Sequence, residues 1–104
     1  MNNRAKTAEE YVRLVEQVID ELLDMIEAAS FDYDEIESGP GFVDALLKEM
    51  RALRASMADG SYQFGRTDLP FMRIIRRHTE QDLPCIRLFY IINQTHREGL
   101  DIAP

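Results

Sequence analysis

The sequence contains one cysteine, Cys85, and no tryptophan among its 104 residues. A single cysteine excludes a disulfide within the chain, which favours a reducing compartment and predicts a cytoplasmic protein. Glycine and proline are few, at five and four, which argues against a turn-rich all-β protein and favours long uninterrupted elements. No apolar run is long enough to span a membrane and no signal-peptide core follows Met1, so no membrane partner is expected.

Basic residues are also scarce, and they are unevenly distributed. Lysine and arginine number 12 against 19 aspartates and glutamates, which gives a net charge of −7. Residues 1–47 hold 12 acidic and 3 basic side chains, whereas residues 48–104 hold 7 acidic and 9 basic ones. The acidic N-terminal half repels nucleic acid, which makes a nucleic-acid partner unlikely in electrostatic terms. The asymmetry also lets the two halves attract each other, within one chain or between two copies, although a solvated acidic helix face is the simpler interpretation.

The apolar content of 45% is sufficient for one ordinary core. A chain of this length fits a single domain spanning residues 1–104. Within it, residues 1–6 are expected to be flexible and residues 100–104 to form a C-terminal tail.

Two long helices are predicted in the N-terminal half. Thr7 and Glu10 have the spacing of a capping box, and apolar residues recur behind them at helical spacing, which predicts helix 1 over residues 8–29. A second run of helical period predicts helix 2 over residues 41–58. Gly60 is expected to close helix 2 in a left-handed conformation.

A short internal repeat organises the C-terminal third. Asp-Leu-Pro at residues 68–70 recurs at 82–84, each time followed by two apolar residues, an arginine and two more apolar residues. Proline is tolerated in the first helical turn, because its missing N–H has no intrahelical partner there. The repeat therefore predicts helix 3 over 69–78 and helix 4 over 83–98. The expected N-caps are Thr67 or Asp68 for helix 3, and Thr79 or Asp82 for helix 4. A buried strand over 86–93 is the alternative, since a short apolar run fits both structures.

Together these elements predict an all-α, four-helix bundle-like single domain. Helix 1 carries two apolar stripes and is longer than helices 3 and 4, so part of it would stay exposed in a monomer. This predicts a homodimer with helix 1 or helix 4 at a two-fold interface. The expected interface residues are Tyr11, Val15, Leu22, Phe89 and Tyr90.

Two groups of residues are candidates for chemistry. Arg73, Arg76, Arg77 and His78 are neighbours at helical spacing, and guanidinium groups bind phosphates, carboxylates and acidic protein surfaces. Cys85 lies in the first turn of predicted helix 4, where a helix N-terminus can lower a thiol pKa, so it is a candidate reactive thiol. The alternative for Cys85 is a small buried apolar residue.

No metal, cofactor or catalytic residue is predicted. Residues 32–43 begin like a calcium loop but lack its glycine and its closing glutamate. The two histidines and the cysteine match no zinc spacing and no catalytic triad. The leading expectation is therefore a non-enzymatic protein–protein interaction or regulatory module that pairs with itself or with another protein. The alternative is a binder of small anions, or a modest enzyme, using the arginine cluster, and nucleic-acid binding comes third.

Overall fold

The structure is a computed structural model that describes residues 4–32 and 41–102. These residues form four helices and no strand: α1 (Ala8–Asp32), α2 (Gly41–Ala58), α3 (Met72–Ile75) and α4 (Ile86–Glu98). The predicted all-α, four-helix class is confirmed. The strand alternative over 86–93 is excluded, because that segment lies within α4. Helix α2 begins and ends where the sequence predicts, and Gly60 beyond it has the expected positive φ of 81°.

The N-terminus of α1 is held by a variant of the predicted capping box. The Thr7 hydroxyl accepts a hydrogen bond from the Glu10 N–H at 3.0 Å, which satisfies a donor of the first turn. The Glu10 carboxylate accepts from the Lys6 N–H at 2.7 Å. It thus reaches one residue further back than the Thr7 N–H that a standard capping box uses.

The hydrophobic core lies where α1 packs against α2 and α4. Buried residues of α1 recur three and four positions apart, which places them on one helix face. Leucines and aromatic residues from the segments around α3 complete the core. The side chains with no exposed surface include Val15, Val18 and Leu22 from α1, Val43, Leu46 and Met50 from α2, and Phe89 and Ile92 from α4.

Most of the predicted interface residues belong to this core. Four of them are at most 2% exposed, so in this structure they cannot contact a second copy: Tyr11, Val15, Leu22 and Phe89. The physical reason is that the chain folds its own apolar segments over α1 and α4, which covers the stripes that suggested an interface. Tyr90, at 46% exposure, is the one predicted interface residue that remains on the surface.

Each Asp-Leu-Pro segment forms a tight turn that precedes its helix. The carbonyls of Leu69 and Leu83 accept hydrogen bonds from the N–H three residues later, at 3.0 and 2.9 Å. This is the pattern of a 3₁₀ turn, not of an α-helix. Helix α3 is therefore limited to Met72–Ile75, and α4 begins at Ile86, three residues later than predicted. Neither helix has a side-chain N-cap, so the predicted capping by Thr67, Asp68, Thr79 or Asp82 is wrong.

The two copies of the repeat nevertheless fold alike. In each, the leucine is buried, the proline is exposed, the next two residues are buried and the arginine is exposed. The last apolar residues of the repeat, Ile75 and Phe89, have no exposed surface. Both copies of the repeat therefore form a tight turn whose apolar side chains are buried in the core.

The two ends of the described chain are joined. The Ala5 N–H donates to the Thr95 hydroxyl at 3.1 Å, and the Ala5 carbonyl accepts from the Asp101 N–H at 2.8 Å. The Arg4 guanidinium donates to two carbonyls at the C-terminal end of α4, at 2.9 and 3.1 Å. The sequence predicted residues 1–6 to be flexible and residues 100–104 to form a C-terminal tail; in the structure, the described residues of these two segments are bonded to each other.

Candidate functional site

The predicted arginine cluster does not assemble around a common ligand position. Arg73, Arg76 and Arg77 are all exposed, and Arg76 forms an ion pair with Asp68. His78 stacks on the ring of Phe42, with centroids 3.9 Å apart. The reason is that α3 ends at Ile75, so the residues after it lose the helical spacing that would have placed all four on one face.

Asp68 instead gathers partners from two different elements. Its carboxylate accepts hydrogen bonds from the Asn93 amide at 3.0 Å, from the Arg76 guanidinium, and from Arg97 at 3.4 Å. The hydrogen bond from Asn93, followed by that from Arg76, lowers the pKa of Asp68. The Asn93 side-chain oxygen in turn accepts the Leu69 N–H at 2.8 Å. This network ties the first Asp-Leu-Pro turn to α4.

A second polar cluster, which the sequence did not predict, joins Tyr11, Tyr62 and His96. The Tyr11 and Tyr62 hydroxyl oxygens lie 2.8 Å apart, and the Tyr62 hydroxyl lies 2.6 Å from His96 Nδ1. Tyr11 also donates to the Ile92 carbonyl at 3.2 Å. Burial raises the pKa of both tyrosines, so both hydroxyls keep their hydrogen at neutral pH.

These contacts determine which nitrogen of His96 carries the hydrogen. A carbonyl can only accept, so Tyr11 gives its hydroxyl hydrogen to Ile92 and accepts from Tyr62. The Tyr62 oxygen then accepts from His96 Nδ1–H. The opposite direction would leave the Ile92 contact unmade. The hydrogen-bond network therefore assigns His96 as the Nδ1-protonated tautomer, with a free lone pair on Nε2.

His96 Nε2 faces an open space next to Gly65. The His96 side chain is 9% exposed, and Nε2 has no hydrogen-bond partner among the described residues. No fully buried side-chain nitrogen or oxygen in that part of the chain lacks a partner, so Nε2 is in contact with solvent. A Cβ at Gly65 would lie 3.0 Å from Nε2, and the absence of a side chain at Gly65 therefore keeps Nε2 accessible.

This space is a cleft of about 400 Å³. One wall is the segment around Gly65, and the other is formed by the end of α4 and the residues that follow it. Arg66 and Arg97 are the two basic residues that line the cleft. Arg97 is oriented by a hydrogen bond from its Nε to the Arg66 carbonyl at 3.2 Å, yet its side chain remains 51% exposed. The rim is apolar, with Phe64 and Ile102 at 47% and 70% exposure. The cleft thus combines the His96 acceptor, two arginines, one glutamate (Glu98) and an apolar edge.

Cys85 does not have the environment of an activated thiol. It is 7% exposed and directly precedes α4. Burial, together with the Glu21 carboxylate, raises the pKa of Cys85 to about 11. The direction is opposite to the one the sequence suggested, because loss of hydration disfavours the thiolate more than the helix terminus favours it.

No family model, curated protein or solved structure matches this chain. Within residues 4–32 and 41–102, no three histidine, cysteine, aspartate or glutamate side chains come together as metal ligands. None of the helices described has the combination of length and apolar character that crossing a bilayer requires.

The neutral state of His96 is expected to make folding sensitive to pH. Desolvation lowers the pKa of His96 in the folded chain, so as pH falls below about 6.5 the unfolded chain takes up the proton first. The stability contributed by the neutral ring is complete above that pH and is lost as pH decreases through the folded-state pKa. We expect the urea midpoint to fall on acidification in this window, before the carboxylates titrate.

Two substitutions isolate this effect. His96→Gln cannot titrate and is expected to show a flatter dependence of the urea midpoint on pH. His78→Gln is the matched comparison, because it removes the other histidine and leaves His96 in place. An identical pH dependence in the wild type and in His96→Gln would contradict the assignment.

Proposed function

We propose that this chain is a non-enzymatic protein–protein interaction module of the cytoplasm that pairs with a second copy of itself. The supporting observation is a separation of charge on its surface, which places an acidic helix face and a basic segment on the same molecule. Surfaces of opposite charge attract each other and favour one relative orientation of two copies. The cytoplasmic placement is supported by the single, buried Cys85.

The acidic face is the exposed side of α1. Between Ala8 and Ala28, the exposed residues include seven carboxylates and a single basic side chain, Arg13. Leu23 lies among them with 38% exposure, so the face carries one apolar contact point. The seven carboxylates belong to Glu9, Glu10, Glu16, Asp20, Glu21, Asp24 and Glu27; of these, Glu16 is paired with Arg54 at 2.9 Å.

The basic segment covers residues 70–92. Its exposed charged side chains are four arginines against two carboxylates, and the exposed Tyr90 lies on the same stretch. In a two-fold dimer the acidic face of each copy meets the basic segment of the other, so every contact is made twice. The arginines are Arg73, Arg76, Arg77 and Arg87, and the carboxylates are Glu80 and Asp82.

Sedimentation velocity at low and at high salt tests this proposal. We expect a dimer at low salt that dissociates as salt is added, because the screening length falls from about 10 Å at 0.1 M to about 3 Å at 1 M. Asp24→Lys on the acidic face should weaken the dimer. Glu80→Lys makes the same change in net charge within the basic segment and should leave the dimer intact or strengthen it.

The opposite signs expected for these two variants separate a specific docking from a general effect of net charge. If both variants shift the equilibrium equally, the faces do not meet as proposed. A wild-type chain that sediments as a monomer at every salt concentration would overturn the proposal altogether.

A further inference from the structure

We infer that the cleft beside Gly65 binds the phosphate group of a small organic phosphate monoester, with His96 Nε2 accepting a hydrogen bond from the phosphate hydroxyl and Arg66 and Arg97 binding its charged oxygens. This site uses no residue of the acidic face or of the basic segment. Its binding test is therefore read separately from the test of the proposed dimer.

The first step of the argument is the lone pair on Nε2. The side chain of His96 is nine-tenths buried, its Nδ1–H is held by Tyr62, and Nε2 points to the cleft without a protein partner. A ligand that binds to Nε2 in this state must bring a donor hydrogen. A carboxylate or a sulfate ester has no such hydrogen at neutral pH. A phosphate monoester has a second pKa near 6, so at about pH 6 roughly half of it carries a hydroxyl hydrogen that Nε2 can accept.

The second step is the pair of guanidinium groups. Arginine presents several N–H donors in a planar fork that matches phosphate oxygens. Arg97 is held in place by the Arg66 carbonyl and by Asp68, so part of its ordering precedes binding. Among the described residues, Glu98 is the one acidic residue that lines the cleft, and its carboxylate lies 3.8 Å from the Arg4 guanidinium.

The third step is the apolar rim. Phe64 is held by stacking on Tyr11, with ring centroids 5.8 Å apart and planes at 12°. It nevertheless remains about half exposed, and it shares the cleft with Leu100 and Ile102. Exposed apolar surface next to a charged site favours an organic substituent over a free inorganic ion.

Phenyl phosphate and phenyl sulfate form a matched pair of probes. They share shape and apolar group, but the sulfate carries no hydrogen for Nε2. We expect phenyl phosphate, titrated into the full chain at about pH 6, where roughly half of it keeps its hydroxyl hydrogen, to shift the ¹⁵N resonance of His96 Nε2 and to leave that of His78 unchanged. Phenyl sulfate should bind about tenfold more weakly, which corresponds to the loss of one charge-assisted hydrogen bond.

Two substitutions and one control complete the experiment. Gly65→Ala should abolish binding, because the new methyl group would lie against Nε2, while the φ angle of Gly65 is not in the positive region that alanine avoids. Arg66→Gln should weaken binding about tenfold. Arg51→Gln removes the same charge from an exposed position on α2 and should bind like the wild type. Circular dichroism checks that each variant is folded.

The inference is overturned if phenyl sulfate binds as well as phenyl phosphate, or if folded Gly65→Ala keeps the affinity of the wild type. If Gly65→Ala fails to fold, Arg66→Gln decides: equal binding by Arg66→Gln and Arg51→Gln overturns the site. Sedimentation of the same proteins reports on the dimer separately.

Discussion

Replacing Phe89 by alanine is expected to destabilise the fold by about 3–5 kcal/mol. The ring has no exposed surface and packs edge-on against Phe71, with centroids 5.1 Å apart and planes at 72°. Truncation removes the buried ring and leaves a cavity that the surrounding helices fill only in part. Domains of this kind have a total stability of about 5–15 kcal/mol, so the loss is a large share of the whole.

Urea unfolding, followed by circular dichroism, measures this effect. Tyr90→Ala is the matched control, because it removes an adjacent aromatic ring that is 46% exposed, and we expect its unfolding free energy to change by less than about 1 kcal/mol. The comparison also separates the core position of Phe89 from the interface position that the sequence suggested. A Phe89→Ala protein that loses self-association but keeps its urea midpoint would contradict the core assignment.

Replacing Asn93 by alanine is expected to cost about 1–3 kcal/mol. The side chain is 6% exposed and serves two partners at once, accepting from the Leu69 N–H and donating to Asp68. Without it, a buried backbone donor in the first Asp-Leu-Pro turn loses its acceptor. The pKa of Asp68 should also rise, because the hydrogen bond from Asn93 is the largest cause of its lowering.

The dependence of the unfolding free energy on pH in the acidic range provides a second measurement of the role of Asn93. Since the pKa of Asp68 is lowered in the folded chain, its contribution is complete above about pH 3.9 and is lost as pH falls below that value. We expect Asn93→Ala to reduce this part of the acid dependence. Gln94→Ala is the control, because its amide makes one long hydrogen bond, to Glu98 at 3.4 Å. If Asn93→Ala and Gln94→Ala unfold at the same urea concentration, the bridging role is wrong.

The two long helices could be predicted because their signals are local. The Thr7 capping box, the positive φ of Gly60 and the regular apolar spacing between them all act within a few residues of the chain. Each of these features favours the start, the end or the continuation of a helix, and its effect does not depend on tertiary contacts. The limits of α2 were therefore predicted to the residue.

The short helix α3 could not be predicted in the same way. Asp-Leu-Pro suits the first turn of an α-helix and also suits a 3₁₀ turn, and the backbone preference between them is small. The choice depends on Leu69 and Leu83 entering the core, which is a matter of tertiary packing. Asn93 then replaces a local cap by holding the Leu69 N–H from another helix, and no pattern within the repeat indicates this.

The cleft at His96 was missed because its parts are distant in sequence. Tyr11 and Tyr62 are 51 residues apart and Tyr62 and His96 are 34 apart, so no spacing rule connects them. The sequence did contain one signal: a loop with two aromatic residues and Gly65, and a histidine at the end of an apolar helix. Four of the five predicted interface residues are buried in the core for a related reason, since an apolar stripe does not reveal whether its own chain or another covers it.

The pairing of Ala5 with Thr95 and Asp101 has a topological consequence. Residue 5 is hydrogen-bonded to residues 95 and 101, so the beginning and the end of the described chain lie side by side. Breaking these two hydrogen bonds would free the N-terminal and the C-terminal segments at the same time. A force that pulls residue 5 away from residue 101 therefore acts first on these two hydrogen bonds.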